Sequence, residues 1–179
     1  MVIKFPAICD EKMMFLRDPS AYHGEKNKRP FFEGWYHKLV TSDDQSLVII
    51  PGIYRSGENN NQTAFIMIFD GISGDLFYEK FEVNEFNCST SSYDLQIGSN
   101  YFSPKRMIID IDSKDLIING KITADNLKPW PVTLFEPGCM GWYAYIPTME
   151  CFHGILSMNH SLSGKLMLND STYNFSNGR

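Results

Sequence analysis

The stretch Arg106-Met107-Ile108-Ile109-Asp110-Ile111-Asp112, then Ser113-Lys114-Asp115, then Leu116-Ile117-Ile118-Asn119-Gly120-Lys121-Ile122-Thr123-Ala124, decides the fold class. Apolar side chains recur with period two on either side of a turn-forming cluster, and isoleucine is stiff at its β-carbon and suits a pleated surface. The same pattern, or a short continuous apolar run, returns along the chain at roughly ten-residue spacing with turn signals between, while helical periodicity is almost absent. The predicted strands are 32–40, 46–54, 64–70, 76–83, 92–97, 106–112, 116–124, 151–158, 164–168 and 172–175. Turn clusters such as Thr41-Ser42-Asp43-Asp44, Gly71-Ile72-Ser73-Gly74 and Asn169-Asp170-Ser171 separate them.

Strands joined by short turns favour antiparallel meanders, and a long meander hides its edges by curling into a barrel or splitting into a sandwich. The expected fold class is therefore all-β, a lipocalin-like antiparallel barrel or sandwich in one domain over residues 1–179. Residues 1–21 read as an N-terminal arm. Residues 125–148, with Pro129, Pro131, Pro137, Pro147 and two tryptophans, read as an aromatic loop folded over the barrel mouth. The final Asn177-Gly178-Arg179 shows no strand or cap of its own, as though the chain stopped partway through a larger β fold.

Composition bounds the partners. A hydrophobic fraction of 43% with 13 Phe, 9 Tyr and 3 Trp is that of a globular, β-rich chain. A formal net charge of -5 gives no footprint for a phosphate backbone, so no nucleic-acid partner is expected. The short basic run Lys26-Asn27-Lys28-Arg29 could touch an anionic headgroup in a peripheral membrane contact, although a solvated loop is the plainer reading. Cys9, Cys88, Cys139 and Cys151 form no C-x-x-C pair and read as free thiols of a cytoplasmic protein. No signal-peptide pattern or membrane-length apolar run occurs, and the Asn61-Gln62-Thr63 and Asn87-Cys88-Ser89 triplets read as composition. His23, His37, His153 and His160 lack metal-ligand spacing, and no Gly-rich phosphate cradle is present; neither metal nor cofactor is expected.

Two clusters could carry chemistry. In a strand over Phe31-Phe32-Glu33-Gly34-Trp35-Tyr36-His37-Lys38, alternation sets Phe31, Glu33, Trp35 and His37 on one face. Glu33 then lies between aromatic rings, where desolvation favours its neutral form and makes it a candidate general acid; a rim glutamate paired with Arg29 or a lysine is the competing reading. In the second cluster, Glu150 and Phe152 share one face and Cys151, His153 and Ile155 the other, so Glu150 and His153 are not direct partners. A histidine that merely satisfies a backbone carbonyl is the commoner outcome for His153. Trp35, Tyr36, Trp130, Trp142, Tyr143 and Tyr145 could line a hydrophobic cavity, or simply fill a core.

His23-Gly24, Phe31-Phe32-Glu33-Gly34-Trp35-Tyr36-His37-Lys38, Pro51-Gly52-Ile53, Gly141-Trp142-Tyr143 with Pro147, and Met149-Glu150-Cys151-Phe152-His153-Gly154-Ile155-Leu156-Ser157 together resemble the tocopherol cyclase family and its bacterial tocopherol cyclase-like members. The resemblance runs from about Tyr22 to Arg179. Members continue through a Glu-Lys-Asp-Trp-Gly block into a second β-half; that block is missing here, so the resemblance implies the first half of a two-domain, lipocalin-like β protein. It also implies an intramolecular lyase or isomerase that protonates a prenyl double bond and lets a phenolic oxygen capture the cation, closing a chromanol-type ring. On that reading Glu33 is the first candidate acid and Glu150 the second. His153 orients a phenol or carboxyl, and Trp35, Tyr36, Trp142 and Tyr143 form the substrate-binding wall. Two alternatives stand beside it. One is a non-catalytic lipocalin-like carrier of a lipophilic small molecule; the other, compatible with both functions, is a homodimer through exposed edge strands.

Overall fold

The computed structural model describes residues 2–5, 19–25, 30–56, 62–133, 135, 137–146 and 151–179. Its strands are β1 (Val2–Phe5), β2 (Phe31–Trp35), β3 (His37–Val40), β4 (Ser46–Arg55), β5 (Gln62–Asp70), β6 (Leu76–Phe81), β7 (Phe86–Cys88), β8 (Leu95–Ile97), β9 (Asn100–Phe102), β10 (Arg106–Asp112), β11 (Ile117–Asp125), β12 (Phe152–Gly154), β13 (Ser161–Leu168) and β14 (Ser171–Asn174).

They form two antiparallel sheets, ordered β12-β1-β2-β4-β5-β6, with β3 also on β4, and β14-β13-β11-β10-β9-β8-β7. Among the described residues neither sheet closes on itself, so the architecture is the sandwich of the two forms expected, and there is no barrel mouth to cover. The hairpin of β10 and β11 pairs Met107 with Ile122 and Ile111 with Ile118, as the alternation requires.

The inner faces supply one core. Leu47, Ile49, Ile53, Ala64, Ile66 and Ile68 of the first sheet meet Leu95, Ile97, Phe102, Ile109, Ile118 and Leu166 of the second. Removing these side chains from water is the main stabilising term, at about 25 cal/mol per Å² of apolar surface. Polar ties fix the layers. Buried Asn100 donates from Nδ2 to Ile97 O (3.0 Å) and accepts the Asp110 N–H at Oδ1 (2.8 Å), which locks the β8–β9 turn to β10. Asp70 accepts the Ile72 N–H (2.8 Å) and the Ser73 hydroxyl (3.1 Å) and is hydrogen-bonded by Tyr173 of the opposite sheet.

The predicted strand 32–40 is two strands in one register on β4. Phe31–Gly34 pair with Gly52–Arg55, and His37–Val40 with Ser46–Ile49. The break falls opposite Pro51, which has no N–H to give the ladder. On the outer face Gly52 stands opposite Phe65, which stacks on Phe32 (centroids 5.6 Å apart) and Tyr78 (5.5 Å).

Other expectations change. The arm at 1–21 contributes a strand, β1, which joins β2 to β12. Strands β7 and β9 were not foreseen because three-residue pairs carry no readable period. The run 151–158 keeps only Phe152–Gly154, and 155–160 leave the sheet. The terminal residues are not left open: Arg179 and Val40 exchange backbone hydrogen bonds (2.8 and 2.6 Å), and Leu162 N–H bonds Gly178 O (2.8 Å). Cys88, Cys139 and Cys151 are free thiols; Cys9, Glu150 and the Lys26–Arg29 run lie outside the described residues. No described helix is long and apolar enough to cross a membrane.

A methyl group at Gly52 would sit 2.5 Å from Phe65 Cζ and 2.7 Å from the Glu33 carbonyl oxygen. Gly52→Ala should therefore cost about 2 kcal/mol through forced movement of ring and strand. A urea midpoint unchanged from wild type would refute this close approach.

Candidate functional site

The register of β2 and β3 turns Phe31, Glu33, Trp35, His37 and Leu39 to the interior, on the same side as Ile53 and Ile49 of β4. This face runs past two different environments.

At the first, Glu33 is fully buried. Its Oε2 accepts the His23 backbone N–H (3.0 Å), and its Oε1 lies 3.4 Å from His23 Nδ1. The segment carrying His23 is laid over the sheet by Tyr22 N–H donating to Ser89 O (3.2 Å) and by Arg55 Nη1 donating to Gly24 O (2.9 Å). The Arg55 guanidinium is 5.9 Å from the Tyr22 ring centre, and Tyr22 packs near Phe31, Trp35 and Phe86. Burial raises the Tyr22 hydroxyl pKa, opposed by Arg55 and reinforced by Glu33.

At the second, a cleft of about 420 Å³ opens between the sheets. Its walls come from β3, the start of β10, β11 and β13, and from residues 155–160; Leu39, Met107, Ile122, Leu127 and Leu162 give it an apolar surface. Trp35 stacks on Tyr93 (centroids 5.1 Å, planes 13° apart), and Tyr93 stacks on His37 (5.6 Å). His37 Nε2 lies 2.6 Å from the Tyr93 hydroxyl. Tyr93 is buried with a pKa raised well above the phenol range by desolvation, so it stays protonated. Desolvation, with a smaller push from His160, lowers the His37 pKa to about 3, so the ring is neutral and accepts the Tyr93 proton bond. Its Nδ1 then carries the hydrogen. His160, also lowered by burial, lies 3.3 Å through Nδ1 from the Ser157 hydroxyl.

The residues singled out from sequence divide. Trp35 and Tyr36 line the cleft. Glu33 shares their strand but does not line the cleft; it belongs to the His23 neighbourhood. His153 stands exposed on edge strand β12, where its N–H meets Met140 Sδ (3.1 Å) and its carbonyl accepts from Cys139 Sγ (3.5 Å). Trp142 and Tyr143 are 67% and 62% exposed and lie outside the cleft. Of the aromatic loop, Leu127 reaches the cleft, and its neighbour Lys128 pairs with the cleft wall: Lys128 N–H to Asn159 O (3.0 Å) and Met158 N–H to Lys128 O (2.7 Å). Among the described residues no His, Cys, Asp and Glu cluster could hold a metal ion.

Sequence reasoning placed His37 on the correct face without giving it a role, and missed Tyr93, His160 and His23 as participants. Alternation was the signal for His37. Tyr93 falls in the predicted strand 92–97, where alternation with Leu95 and Ile97 marks it as inward, but nothing local pairs it with His37, 56 residues away in sequence. No family model, curated protein or solved structure matches the chain.

The neutral His37 has a measurable consequence. Below about pH 6.5 the unfolded chain binds a proton that the folded His37 refuses until about pH 3, so stability should fall as pH drops through that window. The slope from this residue is on the order of 1 kcal/mol per pH unit between about pH 6 and 4.5. Denaturation midpoints at pH 7 and pH 5 should differ less in His37→Gln than in wild type. An equal difference in both proteins would rule out a desolvated, neutral His37.

Proposed function

We propose that this chain binds a lipophilic small molecule, a prenylated quinol or related isoprenoid, in the cleft between its sheets. The observation that carries the reading is the cleft itself: about 420 Å³, walled mainly by aliphatic side chains and by Trp35, with the His37–Tyr93 pair as an oriented polar group. Small-molecule sites have this character, a mostly apolar concavity of several hundred Å³ with a few placed hydrogen-bonding groups. Among the described lining residues none is Asp or Glu. The geometry therefore supports a carrier before it supports an acid catalyst.

The second reading, a tocopherol cyclase-like intramolecular lyase, is favoured by one specific observation. Glu33 is fully buried, two positions from cleft-lining Trp35 and on the same inward face. In that chemistry the protonated carboxyl gives its proton to the trisubstituted alkene and the tertiary cation forms against the Trp35 ring. The phenolic oxygen closes the carbon–oxygen bond, and its proton leaves to the carboxylate, so the reaction is redox-neutral.

One experiment separates the two. A prenylated hydroquinone is added in deuterium oxide, binding is followed by tryptophan fluorescence, and products are analysed by mass. Saturable binding without product is expected of a carrier. A chromanol with one deuterium on a non-exchangeable carbon, lost in Glu33→Gln, would establish the cyclase instead. No binding would remove both.

A further inference from the structure

Strand β6 ends the first sheet and is the longest strand at any sheet end among the described residues, with six residues against four in β14 and three each in β7 and β12. Its backbone groups alternate between neighbour and solvent. At the head of the hairpin the Asp70 N–H bonds Asp75 O (3.0 Å), and the register then pairs Ile68 with Phe77, Ile66 with Glu79 and Ala64 with Phe81. Bonded and non-bonded pairs alternate along an antiparallel ladder. Phe77, Glu79 and Phe81 therefore bond β5, and Leu76, Tyr78 and Lys80 turn their N–H and C=O away from it. The Thr63 hydroxyl, which donates to Phe81 O (3.3 Å) from the β5 side, agrees with this phase. Among the described residues no group bonds the outward backbone atoms of Leu76, Tyr78 or Lys80.

The side chains of the same three residues stand on the outer face. Leu76 and Tyr78 are 63% and 45% exposed, and Phe69, opposite Leu76, is 42% exposed. Tyr78 stacks on Phe65 and Phe65 on Phe32, so a row of rings crosses the outer face and stops at this edge. The outer face of the second sheet is different, presenting Asp110, Asn119, Lys121, Thr123, Ser163 and Lys165.

Open edges are usually blunted by proline, a bulge, charge or a covering segment. At the other end of this sheet a segment does so, with Met140 Sδ and Cys139 Sγ meeting the His153 N–H and carbonyl. Strand β6 has no proline, and its register on β5 is unbroken. Its charges are Lys80 and Glu79, the latter accepting the Ser113 hydroxyl (3.0 Å).

We propose that β6 pairs antiparallel with β6 of a second copy of this chain, about a two-fold axis at Tyr78, so that two first sheets join into one. In this register Tyr78 stands opposite Tyr78 of the second copy, Leu76 opposite Lys80, and Phe77 opposite Glu79. The three residues with outward N–H and C=O all fall at bonded pairs, each of which exchanges two hydrogen bonds. The two ring rows meet at Tyr78. A two-fold at Glu79 or Lys80 sets identical charges against each other, which destabilises a strand pair. One at Leu76 or Phe77 runs part of the strand against the 71–74 turn, where Gly74 has φ +80°. The charges and the turn thus select the Tyr78 register. Pairing along this edge removes on the order of 500 Å² from each copy, against about 800 Å² in a standard tight interface. The dimer is accordingly weak and governed by concentration. No β6 residue lines the cleft, which stays open in it.

Sedimentation velocity of the full chain from about 1 μM to about 500 μM should show a reversible monomer to dimer transition, half complete at about 10–100 μM. Tyr78→Pro removes an outward N–H without taking a bond from β5, a place where an edge strand accepts proline, and should weaken the dimer about tenfold or more. Two substitutions at exposed Leu76 test the register in opposite directions. Leu76→Glu, opposite Lys80 of the second copy, should tighten the dimer several-fold, and Leu76→Lys should weaken it by a similar factor, both with the wild-type urea midpoint. A monomer at every concentration overturns the proposal, as does a dimer untouched by Tyr78→Pro, which would place the contact elsewhere. Equal effects of the two Leu76 substitutions overturn it even where Tyr78→Pro disturbs the fold.

Discussion

The contact on which the interior depends is the stack of Trp35 on Tyr93. Trp35 ends β2 in one sheet, and Tyr93 sits between β7 and β8 of the other; both rings are almost wholly buried. Their near-parallel rings, with centroids 5.1 Å apart, form the middle of a row that runs from Tyr22 through Trp35 and Tyr93 to His37 and Phe102. Aromatic rings of this size supply much apolar area with few torsions to freeze, and each offset pair adds about 0.5–1.5 kcal/mol beyond its area. The row also divides the interior. Glu33 and His23 lie at its Tyr22 end, and the open cleft lies at its His37 end.

That division explains why irregular segments are well placed. A carboxyl in a dry interior costs several kcal/mol unless it is hydrogen-bonded. From above the sheet Glu33 is met by the His23 backbone N–H and, at 3.4 Å, by the His23 ring. Residues 19–25 are therefore held by the polar interior rather than by a period of their own. Similarly, the cleft wall at 155–160 is neither strand nor helix, yet it is fixed by hydrogen bonds to Lys128 and by the Ser157 hydroxyl, which donates to Asn159 O (2.7 Å).

The sheet class and the core were legible because period-two alternation is a local property: Met107, Ile109, Ile111 and Ile118 could be assigned to one face before any partner was known. The inward set Phe31, Glu33, Trp35 and His37 was readable for the same reason, since the register on β4 is continuous across Pro51. What could not be read depended on distant parts of the chain. Tyr93 reaches His37 across 56 positions. The choice of sandwich over barrel rests on which edges remain unpaired, and the strand alternation of β10 and β11 is the same in either. The exposure of Trp142 and Tyr143 was also hidden, because an aromatic-rich loop looks alike whether its rings face a cavity or solvent.

The position of Glu33 relative to the cleft sets what chemistry a bound isoprenoid could undergo. Glu33, two positions from Trp35 on the same inward face, does not line the cleft, and the cleft opens to solvent. A tertiary cation generated beside the indole would be stabilised by the ring face, at about 0.5–2 kcal/mol or more when desolvated. The same cation would meet water arriving from the cleft mouth, and capture by water gives an alcohol rather than a ring. Cyclisation thus demands two conditions together: a path for the proton past Trp35 and a ligand that itself seals the mouth.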